Sequence, residues 1–207
     1  MSKRRKRIHS AVALAPPTTR SSLFIGTPAY SGVSTNYAVR MARLQAELGV
    51  AGIDWVQLII PGCSFLPHAR NTIAASFLKS GRDVAFLIDS DMSVEPSVVF
   101  RMLNTGHDYV SAAWTTRVQA GPVRCALELD PFAAVDGSGC IEVKRAGVAC
   151  TIIRKVVIER MIEADPSLVY DDREGRTMWN VFGSFIEGRE LLHEDSAFSG
   201  SSDIRVG

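Results

Sequence analysis

Two aspartates separated by one residue, Asp89 and Asp91, are the side chains of this sequence that best fit metal chemistry. They follow residues 84–88, an unbroken apolar run typical of a central strand covered on both faces. Ligands of open α/β sheets bind beyond the carboxyl ends of the strands. If the chain is still extended there, residues two apart project to one side, so both carboxylates are expected to face one cation. Carboxylates suit Mg²⁺ or Mn²⁺, and the triplet therefore predicts a site for a metal-bound diphosphate.

The same letters also suit a purely structural turn, because Asp and Ser favour turns and helix caps. Two further groups, expected at the same edge of the sheet, favour binding. The first strand ends in a turn-prone stretch with Thr27, Pro28 and Tyr30, and a nucleobase can pack on the tyrosine ring. Arg70 and Asn71 are predicted in the first turn of a helix, where backbone N–H groups favour an anion and Arg70 can pair with a diphosphate.

Alternating short apolar runs and helix-period segments must position these residues, as in βαβ units. Strands are predicted at residues 23–26, 55–60, 84–88 and 109–113. Helices are predicted from Thr35, as the cap, to Gly49, over residues 69–80, and from Pro96 to Gly106. A hairpin at 136–139, a strand at 148–153 and a helix at 155–164 follow. The pattern predicts an α/β protein.

Composition limits the classes of function. The chain has 207 residues, is 46% hydrophobic and carries a formal net charge of +1, which gives no general reason to expect nucleic acid as a partner. Its four cysteines form no C-x-x-C pair and no histidine lies at metal-ligand spacing, which indicates neither a zinc site nor a redox motif and suits the cytoplasm. No run approaches the roughly 18 apolar residues of a membrane span.

Residues 1–21 are predicted to form a disordered basic tail ahead of a single domain at 22–207. Residues 3–7 are all basic, and a short apolar stretch then ends at Pro16 and Pro17. Contact with nucleic acid or an anionic membrane, or a targeting signal, are the alternatives for this tail.

The order of several strings resembles the GT-A glycosyltransferases of family 2 type, particularly a group common in bacteria and their phages. The strings are residues 27–30, 69–71 and 86–92, and the resemblance continues through 112–117, 145–161 and 193–198. It implies a three-layer αβα GT-A fold, the Rossmann-like fold of nucleotide-diphospho-sugar transferases, with a mixed, mostly parallel central sheet.

The resemblance also implies a donor site. Residues that would contact the nucleotide sugar are Thr27, Pro28, Tyr30, Arg70, Asn71, Asp89 and Ser90. Asp89 would contact the ribose or the metal, and Asp91 would ligate Mn²⁺ or Mg²⁺. The donor would be a nucleoside-diphosphate sugar.

On the acceptor side, the resemblance implies that Asp195 is the general base of an inverting transfer to a glycan, lipid or protein hydroxyl. Glu194 would position the acceptor or the base, and Trp114 and Arg117 would lie near the acceptor. His193 is a weaker candidate for a further metal ligand.

The sequence departs from the family after Phe198, where a helix and another strand are expected. Residues 199–203 are Ser-Gly-Ser-Ser-Asp, which is poor helix chemistry, so we expect a shortened C-terminus that leaves Asp195 on a frayed segment. An impaired nucleotide-sugar-binding protein is therefore one alternative. A nucleotidyltransferase is another, although residues 26–32 lack the basic residues of its loop. A haloacid-dehalogenase-like phosphatase is the third, although its Asp-x-Asp motif normally lies near the chain start.

Overall fold

The computed structural model of the chain describes residues 22–113, 127–129, 134–187 and 190–192. The strands of this part are β1 (Leu23–Ala29), β2 (Trp55–Pro61), β3 (Val84–Ile88), β4 (Tyr109–Ser111), β5 (Leu127–Leu129), β6 (Val143–Ala146), β7 (Cys150–Arg154), β8 (Val169–Asp171), β9 (Thr177–Trp179), β10 (Phe185–Glu187) and β11 (Glu190–Leu192). The α-helices are α1 (Thr35–Val50), α2 (Leu66–Lys79), α3 (Pro96–Asn104) and α4 (Lys155–Ala164), and a short 3-10 helix spans Pro166–Leu168.

Five strands form a mixed sheet in the order β2-β1-β3-β7-β4. β1 is parallel to both β2 and β3, whereas β7 is antiparallel to its neighbours β3 and β4. Four strands therefore run in one direction and β7 runs against them. β3 lies in the middle and all its residues are buried, which confirms the prediction of a central strand from its unbroken apolar run.

Helices cover both faces of this sheet because successive strand residues project to opposite sides. Phe86 and Ile88 of β3 belong to the core that contains the apolar faces of α1 and α3. Ala85 and Leu87 belong to the second core, with α2 and α4. The predicted α/β class with helices on both faces is confirmed. Among the described residues, no helix combines the length and apolar content needed to cross a bilayer.

Several predicted boundaries hold and others shift. α4 spans the predicted residues and Pro96 opens α3, whereas the strand predicted at 109–113 ends at Ser111. Thr35 was predicted to cap α1, but Ser34 does so, because its hydroxyl oxygen accepts a hydrogen bond from the Tyr37 N–H at 3.1 Å.

α2 begins at Leu66 rather than near residue 69. Pro67 lies in its first turn. A backbone N–H at that position has no partner within the helix, so proline, which lacks this N–H, is compatible with this start. Arg70 and Asn71 consequently lie in the second turn of α2. The prediction that they lie in the first turn is wrong.

The close approach of α2 to β1 depends on Gly26. A β-carbon built at Gly26 would lie 2.3 Å from Ile73 Cγ2 and 3.1 Å from Leu87 Cδ2, and both neighbours are buried. We expect Gly26→Ala to lower the free energy of unfolding by about 1–3 kcal/mol through overpacking. Urea unfolding measures this change.

Gly49→Ala is the matched control, because Gly49 lies within α1 and a β-carbon there meets no atom within 4 Å. Alanine in a helix should raise stability by about 0.5–1 kcal/mol. Equal effects of the two substitutions would contradict close packing at Gly26.

Candidate functional site

The loops that follow β1 and β3 meet at one edge of the sheet. The two strands are adjacent and parallel, so their carboxyl ends lie side by side. The Ser34 N–H, in the loop after β1, donates a hydrogen bond to the Ser90 carbonyl at 2.9 Å. Tyr30 belongs to the same loop and is 67% exposed. The predicted proximity of the Tyr30 loop to the triplet Asp89-Ser90-Asp91 is therefore present.

The triplet forms a turn rather than a continued strand. β3 ends at Ile88, and the Met92 N–H donates to the Asp89 carbonyl at 3.0 Å. The expectation that an extended chain directs both carboxylates to one side is wrong, because the backbone turns directly after the last residue paired with β7. The turn nevertheless leaves both carboxylates accessible: Asp91 is exposed and the Asp89 side chain is 28% exposed.

Arg70 and Asp89 form an ion pair between α2 and this turn. Arg70 Nη2 lies 3.2 Å from Asp89 Oδ1 and 3.5 Å from Oδ2. The arginine side chain is only 4% exposed, so its charge has little access to solvent. The pair places one fixed positive charge beneath the triplet and balances one of its two carboxylates.

Cys150 of β7 lies next to this pair, because it is the β7 residue paired with Ile88. Burial, together with the nearby negative charge of Asp89, raises the pKa of the Cys150 thiol to about 12. The thiol is thus protonated at neutral pH.

Thr27 and Pro28 are buried at the end of β1. Thr27 Oγ1 and Tyr37 Oη share a hydrogen bond of 2.6 Å, and Gln57 Nε2 donates to the same phenol oxygen at 3.0 Å. Burial raises the pKa of Tyr37 despite these two hydrogen bonds. Thr27 is fully buried, so its hydroxyl holds β1 against α1 and is not exposed to a ligand from solvent.

Asn71 joins α2 to the chain after β9. Its Nδ2 donates to Asn180 Oδ1 at 2.9 Å and its Oδ1 accepts from the Phe182 N–H at 2.9 Å. The side chain is 3% exposed. Its amide therefore serves the packing of the protein, unlike the neighbouring Arg70, which reaches the triplet.

The remaining predicted site residues lie outside the described residues. They are Trp114, Arg117, His193, Glu194 and Asp195. Their predicted roles stay predictions.

A second group of side chains could hold a metal ion: the potential ligand atoms of His107, Asp136 and Cys140 all lie within 4.8 Å of one another. The spacing of the sequence indicated no zinc site, because His107 lies 29 residues before Asp136 and comes close to it only in the fold. Hydrogen bonds from the Ser138 hydroxyl and the Cys140 N–H hold the pKa of the Asp136 carboxyl well below its usual range. The predicted turn at 136–139 is what brings Asp136 and Cys140 together.

The described chain is an α/β protein with a mixed five-stranded sheet, compatible with a Rossmann-like fold. No protein-family model matches the chain, and no curated protein matches it at a significant level.

Proposed function

We propose that this chain is a GT-A glycosyltransferase that moves a sugar from a metal-bound nucleoside-diphosphate sugar to an acceptor hydroxyl. One observation carries the proposal: an accessible carboxylate turn, Asp89 to Asp91, lies beyond the carboxyl end of the central strand and is held from beneath by Arg70. Ligands of open α/β sheets bind at this edge. The family resemblance of the sequence supplies the class of donor.

The residues at the turn fit Mn²⁺ or Mg²⁺, because two hard carboxylate ligands within one turn are reachable from solvent. Arg70 already balances much of the charge of Asp89. Asp91 is exposed, whereas the Asp89 side chain is 28% exposed and paired. We therefore assign the larger share of metal binding to Asp91, and assign Asp89 to the ribose or to a shared ligand position. A bound metal would supply positive charge that stabilises the departing diphosphate.

The ion pair also changes the role proposed for Arg70. A diphosphate would have to displace Asp89 to pair with a guanidinium that is 4% exposed. Arg70 is better suited to hold the Asp89 carboxylate in one orientation. Tyr30, which is 67% exposed in the neighbouring loop, offers the ring on which a nucleobase would pack, and the backbones of Pro28 and Ser90 would complete the donor site.

The transfer itself is assigned from the resemblance. Asp195 would take the proton of the acceptor hydroxyl as its oxygen attacks the anomeric carbon and the bond to the diphosphate breaks. Glu194 would position the acceptor or the base, and Trp114 and Arg117 would contact the acceptor. The departure of residues 199–203 from the family favours one alternative, a binding protein that retains the donor site without turnover.

A thermal-shift screen of UDP-, GDP-, CDP- and dTDP-sugars, with and without Mn²⁺, tests the proposal. At a donor concentration of about 100 times Kd, binding contributes about 2.7 kcal/mol, which corresponds to a rise in Tm of roughly 5–10 °C for a domain of this size. We expect this shift for at least one donor, and only with the metal. No shift for any donor would overturn the proposal.

Two further assays separate the alternatives. Release of nucleoside diphosphate from the donor indicates an active transferase, and a metal-dependent shift without any release indicates a binding protein. Hydrolysis of a generic aryl phosphate would indicate a phosphatase instead.

A further inference from the structure

His107, Asp136 and Cys140 come together at the opposite edge of the sheet from the triplet. β4 runs in the same direction as β3, and His107 precedes β4, so it lies at the amino edge. Asp89 follows β3 at the carboxyl edge. The length of the sheet therefore separates this cluster from the proposed donor site.

Hydrogen bonds orient the Asp136 carboxylate in this cluster. Its Oδ1 accepts from the Ser138 N–H at 2.8 Å, the Cys140 N–H at 2.9 Å and the Ser138 hydroxyl at 2.6 Å. These bonds leave Oδ2 directed at His107 Nε2, at 2.8 Å. A ligand oxygen is thus oriented by the protein before any ion arrives, which lowers the cost of ordering it.

Hydrogen bonds to their backbone carbonyls fix the positions of Cys140 and His107. The Asp136 N–H donates to the Cys140 carbonyl at 2.8 Å, which closes the loop that presents the thiol. The His107 carbonyl accepts from Arg154 Nε at 3.3 Å, which joins the histidine to β7. The three donors therefore come from two separately anchored segments.

The donor set is one imidazole nitrogen, one carboxylate oxygen and one sulfur. Mg²⁺ and Mn²⁺ prefer oxygen ligands, whereas Zn²⁺ accepts all three types and often keeps water as a fourth ligand. The His107 and Asp136 side chains are 31% and 38% exposed, and Cys140 is half-buried, so an ion can enter from solvent.

We propose that His107, Asp136 and Cys140 form a zinc-binding site that is independent of the carboxylate turn. On binding, the Cys140 thiol releases its proton to solvent and the thiolate forms a Zn–S bond. The hydrogen bond between Asp136 and His107 is replaced by bonds from Oδ2 and Nε2 to the ion, with the imidazole proton on Nδ1. No oxidation state changes. The ion would join the loop at 136–140 to the connection between α3 and β4.

Metal titration of the reduced, chelator-treated full chain tests this site. Zn²⁺ binding is followed by calorimetry, and Co²⁺ serves as a spectroscopic probe. We expect one Zn²⁺ per chain and a thiolate-to-cobalt charge-transfer band. Cys140→Ser should abolish the band, and both Cys140→Ser and His107→Gln should weaken Zn²⁺ binding at least about tenfold.

Cys63→Ser and His68→Gln are matched controls, because both residues lie elsewhere in the described chain and should leave the band and the affinity unchanged. The absence of a cobalt band in the parent chain, or its survival in Cys140→Ser, would overturn the proposal. So would an unchanged Zn²⁺ affinity in His107→Gln, which would show that the cluster is only a hydrogen-bonded turn. If Cys140→Ser fails to fold, the parent spectrum and His107→Gln still decide. Asp91→Ala should retain zinc binding at this site. The zinc proposal can therefore fail or hold independently of the proposed transferase function.

Discussion

Asp91→Ala should abolish the metal-dependent rise in Tm with the nucleotide sugar and reduce turnover by at least about 100-fold. Asp91 carries the larger share of metal binding in the proposed site, because it is the more exposed of the two carboxylates. Without Asp91, the positive charge that stabilises the departing diphosphate is lost. Thermal shift with Mn²⁺ measures the binding, and release of nucleoside diphosphate measures the turnover.

The fold should tolerate this substitution, because Asp91 is exposed in a turn. Its free energy of unfolding without ligand should change by no more than about 0.5 kcal/mol. Glu163→Ala is the matched control, since Glu163 is an exposed carboxylate on α4 and should leave both assays unchanged. Metal-dependent donor binding of parent strength in Asp91→Ala would refute the role of this carboxylate.

Arg70→Ala should lower both stability and donor binding. Removing the guanidinium leaves the Asp89 carboxylate without its close cationic partner beside the buried Cys150. Loss of one partner of a fully buried pair costs several kcal/mol, but Asp89 is 28% exposed and water screens part of its charge. We therefore expect a loss of about 1–3 kcal/mol in urea unfolding.

A double-mutant cycle with Asp89→Asn separates the ion pair from simple packing. In the Asp89→Asn background, Arg70→Ala should cost at least about 0.5 kcal/mol less than in the parent chain, because the asparagine side chain carries no charge for Arg70 to balance. Arg160→Ala is the surface control: that side chain is 62% exposed beside Asp108 and should change stability by less than about 1 kcal/mol. Equal costs of Arg70→Ala in both backgrounds would mean that the pair contributes nothing.

Donor binding gives a second measure of Arg70. Arg70→Lys should retain the charge but lose the planar geometry of the guanidinium. If Arg70 orients Asp89, the rise in Tm that the donor and Mn²⁺ cause in Arg70→Lys should lie between the rises in the parent chain and in Arg70→Ala. A donor-induced rise in Tm in Arg70→Lys equal to that of the parent chain would indicate that donor binding needs only the positive charge of residue 70.

Local pattern was enough to predict β1 to β4, β7 and the four α-helices, but not the short paired strands β5, β6 and β8 to β11. The apolar run of β3 required burial on both faces, and the helical period of residues 155–164 required one apolar face. The preference of apolar side chains for burial away from water acts on each such segment in much the same way, wherever the segment lies in the chain. The start of α2 could not be predicted in this way, because Pro67 is compatible with both a loop and the first helical turn that forms.

The triplet Asp89-Ser90-Asp91 could be located from the sequence as a motif after a central strand, but its geometry could not. Whether the chain stays extended after Ile88 depends on where pairing with β7 ends, and β7 lies about 60 residues further along the chain. The partner of Asp89 depends on the packing of α2 beneath the sheet edge, which placed Arg70 there and directed Asn71 to the chain after β9.

Composition and periodicity thus determine which segments of this protein are buried, and the order of its motifs locates the edge of the sheet at which a ligand is expected. Contacts between distant segments decide everything that depends on a distance: the Arg70–Asp89 pair, the burial of Thr27 and the meeting of His107 with Asp136 and Cys140. The physical reason is that burial is a property of one segment in water, whereas an ion pair or a metal site requires two segments to approach within a few ångströms.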